Sequence, residues 1–599
     1  MRAFPFRYLR RVAVPSRSPW NCQLGRAHPF RHSLSSPIPP TSQNRWFSAT
    51  PPTWLTRDGD TTIYALSTAP GRAAIAVVRV SGPDCVSVYH ALCPKSPLPR
   101  PRVAGVRTLY DPTSETPSSQ AAVLDAGALV LYFPGPKTVT GEDVLELHLH
   151  GGPAIVRSVL TAIESTSANG LEIRYAESGE FTRRAFMNNR LDLPQIEALG
   201  DTLAADTEQQ RRLAVRGASD ALSKRYEQWR QQLLYARGEL EALIDFSEDQ
   251  HFDESSDELI LSVASQVRAL GRQITLHIQN ASKGELMRNG IKVALLGAPN
   301  AGKSSLLNRI VGREAAIVST EEGTTRDIVD VGIDLGGWYC KLGDMAGIRS
   351  EPAGSSWDGV SIVIGAVEKE GIRRARARAL ESDVVVVVIS VEDGSDGAPY
   401  RLAVERDVVD AANECARAGK HIVVAINKVD RLPMQDRTGS EQGQAPQELV
   451  SEVSKLLPEV PTQRIFGISC LNLDNEPEIS TWPTFLQGLI STFEEMATPS
   501  AVEGDADESY DRSYWEDSLG VTHRQSSNLQ RCLQSLDDFL EQSTPSSHES
   551  SDELEVDIVM AAEHLRFAAD ALASITGKGE SGDVEDVLGV VFEKFCVGK

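Results

Sequence analysis

The stretch Ile291–Val311, IKVALLGAPNAGKSSLLNRIV, decides how the chain is read. An apolar run ends at Gly297, a glycine-containing loop follows, and a segment with helical spacing opens at Lys303. Gly297–Ser304, GAPNAGKS, satisfies G-x-x-x-x-G-K-[ST] in the strand, loop and helix context that a P-loop requires. Asn300, Ala301, Gly302 and Ser305 then belong to the phosphate cradle, where backbone N–H groups face the anion. Lys303 is expected to neutralise β and γ oxygens, and Ser304 to bind Mg²⁺. By itself the motif also fits an ATPase or a chance match.

Working outward, three companions narrow the choice to a guanine nucleotide. GTTRD (Gly323–Asp327) places Thr325 as a switch threonine on the metal. DMAG (Asp344–Gly347) supplies the second metal-side acid, Asp344, and Gly347 on the γ-phosphate side. NKVD, with Asn427, Lys428 and Asp430, follows the apolar HIVVAI, and Asp430 can accept two hydrogen bonds that guanine offers and adenine lacks. Ser469, in ISC after another apolar run, completes the base pocket. Met345 stands where a Thr is usual, and no Gln follows Gly347 to orient water, so hydrolysis has to be arranged by other groups.

A chain of 599 residues exceeds one hydrophobic core, and roughly three or four domains are expected. The fold class read from the pattern is multidomain, α+β and α/β. Residues 1–57 form a leader, 58–180 an α+β domain of alternating strands, and 181–285 the first part of a helical domain. Residues 286–495 form an inserted Ras-like P-loop domain of alternating strands and helices. The acidic segment 496–520 reads as an exposed linker, and 521–599 as the second part of the helical domain.

Composition sets further bounds. With 41% hydrophobic and 24% charged residues the chain is of globular type, and no apolar run reaches the ~20 residues of a membrane span. The first fifty residues hold eight Arg and no Lys, Asp or Glu, which reads as a mitochondrial transit peptide or as a disordered basic tail. The formal charge of −23 excludes bulk nucleic-acid binding, so any RNA contact needs a local basic patch. Arg373–Arg378, RRARAR, is such a run, read as a solvated face, with RNA or a partner as the alternative. The eight cysteines show no CxxC spacing, which argues against a zinc site or disulfide framework. The terminal CVGK is a poor prenylation box, since Gly598 and Lys599 do not fit it. Cys596 reads as a packing residue, with a nucleophilic thiol as the alternative.

Together with APGRAAIAVVRVSG, TGEDVLELHLHGGP, GEFTRRAFMNNRLDLPQIEALGDTLAA, LEALIDF, REAAIVSTEEGTTRD, VEKEGIRRA and FCVGK, these motifs resemble the MnmE/TrmE tRNA-modification GTPases, including their mitochondrial forms, over nearly all of the chain after the leader. The resemblance implies that Asn300, Ser319, the backbone of Glu321, and Thr324 hold a K⁺ ion where other GTPases place an arginine finger. It makes Glu368 the catalytic acid that orients water, alongside Lys303. It implies that the N-terminal domain is aminomethyltransferase-like, mediates dimerisation, and binds a tetrahydrofolate donor (5-formyl or methylene) through Arg79, Glu146, Arg190 and Lys599, with the C-terminal tail returning to that pocket. The implied activity is GTP hydrolysis coupled to building an aminomethyl-type group, carboxymethylaminomethyl or taurinomethyl, at C5 of the wobble uridine of mitochondrial tRNA. The implied assembly is a homodimer working with an FAD-dependent GidA/MnmG-type partner. A ribosome-assembly or translation GTPase is the rival from another class.

Overall fold

The computed structural model describes residues 61–116, 119–246, 256–311, 315–320, 331–343, 373–394, 400–432, 445–471, 482–500, 512–543, 557–578 and 598. The N-terminal part is a six-stranded sheet in the order β3-β4-β5-β2-β1-β6, from β1 (Thr62–Leu66), β2 (Ile75–Ser81), β3 (Gly105–Tyr110), β4 (Val123–Phe133), β5 (Val144–His150) and β6 (Ile173–Tyr175). All neighbours are antiparallel except β1 and β6. Period-2 alternation sends Val78, Val80, Leu145 and Leu147 to one face, against α1 (Cys85–Leu92) and α2 (Pro153–Ser165). Arg79 and Glu146, in register across β2 and β5, are left on the other face. There α3 (Glu180–Met187) covers the β1 end, packing Phe181 on Ile63 and Ala65.

The helices α4 (Leu193–Ala204), α5 (Glu208–Gly217), α6 (Asp220–Phe246) and α7 (Ser256–Asn289) follow. The start of α4 is fixed by a capping box between Asp192 and Gln195, with Pro194 in its first turn. From α7 the chain turns at Gly290 into the second sheet, β7 (Ile291–Gly297), β8 (Ala316–Thr320), β9 (Val331–Leu335), β10 (Trp338–Leu342), β11 (Val384–Asp393), β12 (Tyr400–Ala403), β13 (His421–Asn427) and β14 (Ile465–Gly467). Its order is β14-β13-β11-β7-β10-β9-β8, with β12 on β11; β14, β13, β11, β7 and β10 run parallel. Strand β11, VVVVVISV, is buried on both faces, as a central parallel strand covered by helices must be. Around it lie α8 (Lys303–Arg309), α9 (Arg406–Arg417), α10 (Gln447–Leu456) and α11 (Trp482–Ala497).

The return path departs from the expected exposed linker. Residues Arg512–Asp517 form α12, and Ser518–Gly520 a 3-10 turn, with Trp515 and Leu519 buried. The acidic flank hides two apolar anchors that only packing selects. Helices α13 (His523–Ser543) and α14 (Ile558–Thr576) then rejoin α6 and α7 in one core that contains Tyr226, Trp229, Val267, Ile274, Leu536, Phe539, Leu565 and Leu572. The α/β domain is thus inserted into a helical domain. Among the described residues, no helix is long and apolar enough to cross a membrane.

Candidate functional site

Gly302 precedes α8 at φ 99°, and a Cβ there would overlap the Asn427 side chain, so the loop requires glycine. Asn300 also lies in the left-handed region, at φ 62°, which Asn tolerates better than most residues. Lys303 donates from Nζ to the carbonyls of Gly297 at 2.6 Å and Ala298 at 2.8 Å, holding the ammonium over the loop. Ser304 and Ser305 are exposed at the start of α8.

The base-recognition segment is tied to this loop. Asn427, buried at the end of β13, donates from Nδ2 to the Ala301 carbonyl at 2.9 Å and accepts from the Lys428 N–H at 2.8 Å. Lys428 is left-handed at φ 62°, which turns the chain into the 3-10 turn carrying Asp430. Ser469 Oγ donates to Asp430 Oδ1 at 2.7 Å, which helps orient a carboxylate whose oxygens are the acceptor type that two N–H donors of a base require. An acceptor so oriented fits guanine and not adenine. Glu321, Thr324, Thr325, Asp344, Met345, Gly347 and Glu368 lie outside the described residues, and Ser319 is described only as backbone of β8.

A second charged site lies on the N-terminal sheet. Arg79 donates from Nε and Nη2 to Glu146 Oε1 at 3.1 and 3.0 Å, with its guanidinium 5.9 Å from the Phe181 ring centre. His148, two residues on and therefore on the same face, approaches Glu146 Oε2 at 3.4 Å. Sequence reasoning passed over His148, although the alternation of β5 carries that signal. Arg190 is exposed and donates to the Thr138 carbonyl at 3.0 Å, so it meets the 138–142 loop rather than the Arg79–Glu146 pair. Behind that loop Arg184 bridges Glu142 and the fully buried Glu180. Burial works against the Glu180 charge, yet hydrogen bonds from Arg174 and the Glu177 N–H, with the charges of Arg174 and Arg184, hold its carboxyl below the usual range.

The tail arrives at the C-terminal end of β1 in the same sheet: Ser67 Oγ donates to the Gly598 carbonyl at 2.9 Å across 531 residues of sequence. Gly598 has φ 95°, and a Cβ on it would overlap the Leu66 carbonyl. Lys599 and Cys596 lie outside the described residues.

A P-loop and an Asn-Lys-x-Asp turn with an oriented aspartate on a Ras-like sheet define a GTPase, here inserted into a helical domain that follows a sheet bearing the Arg79–Glu146 pair. Residues 62–190 match the family described as GTP-binding protein TrmE N-terminus, and residues 193–596 the MnmE helical domain. The chain belongs to the MnmE/TrmE family of GTPases. It is 36% identical over 538 residues to the mitochondrial tRNA modification GTPase mss1 of Schizosaccharomyces pombe, covering 90% of this chain and 95% of that one. It is 36% identical to the tRNA modification GTPase MnmE of Parvibaculum lavamentivorans, covering 90% of this chain and 100% of that one. It is 35% identical to the human mitochondrial 5-taurinomethyluridine-[tRNA] synthase subunit GTPB3, covering 90% and 93%.

Proposed function

We propose that this chain is a mitochondrial GTPase that, with an FAD-dependent partner of the GidA/MnmG type, installs an aminomethyl-type group at C5 of the wobble uridine of tRNA. The observation that carries this reading is the Gly598 carbonyl bonded to Ser67, which brings the C-terminal tail to the sheet that bears Arg79 and Glu146. A switch without modification chemistry has no use for that second site.

In this reading Lys303 and Ser304 hold the phosphates and Mg²⁺, and Asp430 with Ser469 selects guanine. Lys303 now sits on loop carbonyls that a phosphate would displace, which fits an anion at that place. Asn300, exposed beside it, would belong to the proposed potassium site, where the ion's charge would offset that developing between β and γ phosphates. Thr325, Asp344, Gly347 and Glu368 are proposed as the switch and water-orienting groups. Equal GTP turnover in Na⁺ and K⁺ would remove the monovalent cation from this scheme.

A reduced folate fits the other site: Glu146 presents acceptors to the donor edge of a pterin, while Arg79, Arg190 and Lys599 are suited to carboxylates. When bound, it would supply the one-carbon unit; the protein's part is to bind and orient it. A homodimer is part of this reading.

The test is mass spectrometry of nucleosides from mitochondrial tRNA in cells with the protein, without it, or with Lys303→Ala. Loss of a C5-substituted wobble uridine is expected in both deficient lines, and the missing mass tells glycine from taurine. Unchanged nucleosides would overturn the reading in favour of ribosome assembly.

A further inference from the structure

We propose that Arg309 is a positioning residue for guanine specificity, acting through Ser469 on the carboxylate of Asp430. The proposal rests on the reading of Asp430 as the guanine acceptor given above.

Arg309 is the last residue of α8, the helix that starts at Lys303. Its guanidinium stacks on the buried Trp482 ring, 4.5 Å from the centroid, which fixes the plane of the fork. From that plane Nη1 donates to the Ser469 carbonyl at 2.6 Å and to the Leu471 carbonyl at 3.3 Å. Both carbonyls belong to the loop that carries the Ser469 hydroxyl. That hydroxyl accepts from the Leu471 N–H at 3.3 Å, so its proton is directed at Asp430 Oδ1, 2.7 Å away.

These contacts close a ring. The P-loop is tied to the Asn-Lys-x-Asp turn through Ala301 and Asn427, and the far end of α8 is tied to the Ser469 loop through Arg309. The helix whose first residue meets phosphate therefore also sets the loop that orients the base-reading carboxylate. Loss of Arg309 should free the Ser469 loop, let the Asp430 carboxylate rotate, and weaken the bond to the guanine 2-amino group above all.

Inosine diphosphate lacks that amino group, so it isolates the effect. The full chain is titrated with fluorescent guanosine and inosine diphosphates as wild type, Arg309→Ala and Arg309→Lys, with thermal unfolding measured for each. Arg309→Ala should lose about tenfold in guanosine diphosphate affinity, the scale of a charged hydrogen bond, and much less for inosine diphosphate. Lysine, a point charge without the fork, should fall between the two and serves if the alanine variant does not fold. Equal losses for both nucleotides, or no loss, would overturn the proposal, since a role in packing or at the phosphates does not change their ratio. Asp430→Asn separates the underlying reading: preference should pass to xanthosine diphosphate, and if it does not, the assignment of Asp430 fails whatever the Arg309 variants do.

Discussion

His277 illustrates how one side chain reports on the junction of the inserted domain. It is buried on α7, accepts at Nε2 from Arg225 Nη1 at 2.8 Å, and donates from Nδ1 to the Gln273 carbonyl at 3.1 Å. Trp229 and Trp515 pack against its ring, and Arg225 faces Asp517 at 3.8 Å. Burial, then the Arg225 charge, push its pKa down to about 3. The folded chain therefore keeps His277 neutral where the unfolded chain, at an ordinary value of about 6.5, takes up a proton. Stability is full above about pH 6.5 and is lost as pH falls toward 3, by about 2 kcal/mol at pH 5. In His277→Gln, which retains an acceptor for Arg225, denaturant unfolding between pH 5 and 7 should show a flatter slope than wild type. An unchanged slope would place the titration elsewhere. Asp517, whose carboxyl burial raises, contributes with the opposite sign at lower pH, so the difference between the two proteins is the quantity to read.

Among the elements, α7 and α5 join the two larger domains. Gly284 of α7 meets the 3-10 turn so closely that a Cβ would overlap the Leu519 carbonyl. Nearby, Asn280 donates to Ser518 Oγ at 2.8 Å, and Lys283 to the Thr498 carbonyl at 2.7 Å and Ser500 Oγ at 2.9 Å. Gly284→Ala should force the turn away from α7 and lower stability by about 1–3 kcal/mol, the usual cost of overpacking, measurable as a drop in thermal midpoint. A neutral result would mean that the turn yields freely. Helix α5 makes the other link: Leu213 is part of the P-loop domain's core with Ile333 and Cys340, and the Gln209 N–H donates to the Gly337 carbonyl at 3.0 Å in the β9–β10 turn. In sequence those strands adjoin residues 321–330 and 344–350, which hold the motifs proposed as switches and lie outside the described residues.

At the scale of the whole molecule, the hydrogen bond that spans the most sequence among the described residues ties the tail to the first sheet. Gly598→Ala combines a φ of 95° that L-residues resist with an overlap on Leu66, so the tail should leave its seat. If the proposed folate site is real, binding of 5-formyltetrahydrofolate, followed by calorimetry on the full chain, should weaken by about tenfold, from the roughly 1–2 kcal/mol cost of that conformation. Guanosine diphosphate affinity should be unchanged, since the two sites lie on separate sheets. Weakening of both would indicate a general loss of fold, and weakening of neither would detach the tail from folate binding.

Much of the nucleotide site was legible in the sequence, because a phosphate loop and a base-reading turn are short and local, and their backbone demands fix residue types at fixed spacing. Gly302, Asn427 and Asp430 declare themselves in this way, as does the buried run of β11. The Arg79–Glu146 pair is different: alternation alone places each on a strand face, and only the register of β2 with β5 makes them partners. His148 was within reach of the same alternation but means nothing until Glu146 has a partner. Arg309 and Trp482 are separated by too much chain for any local pattern to join them, and Trp515 and Leu519 lie in a segment whose acidity masks its anchors. By itself the sequence determined the order of the domains and the chemistry of the loops, since propensity, periodicity and motif spacing act over a few turns of chain. Only the tertiary structure decided which distant side chains share a face, how the inserted domain is clasped by α7, and where Gly598 comes to rest, because those outcomes depend on packing and closure across hundreds of residues.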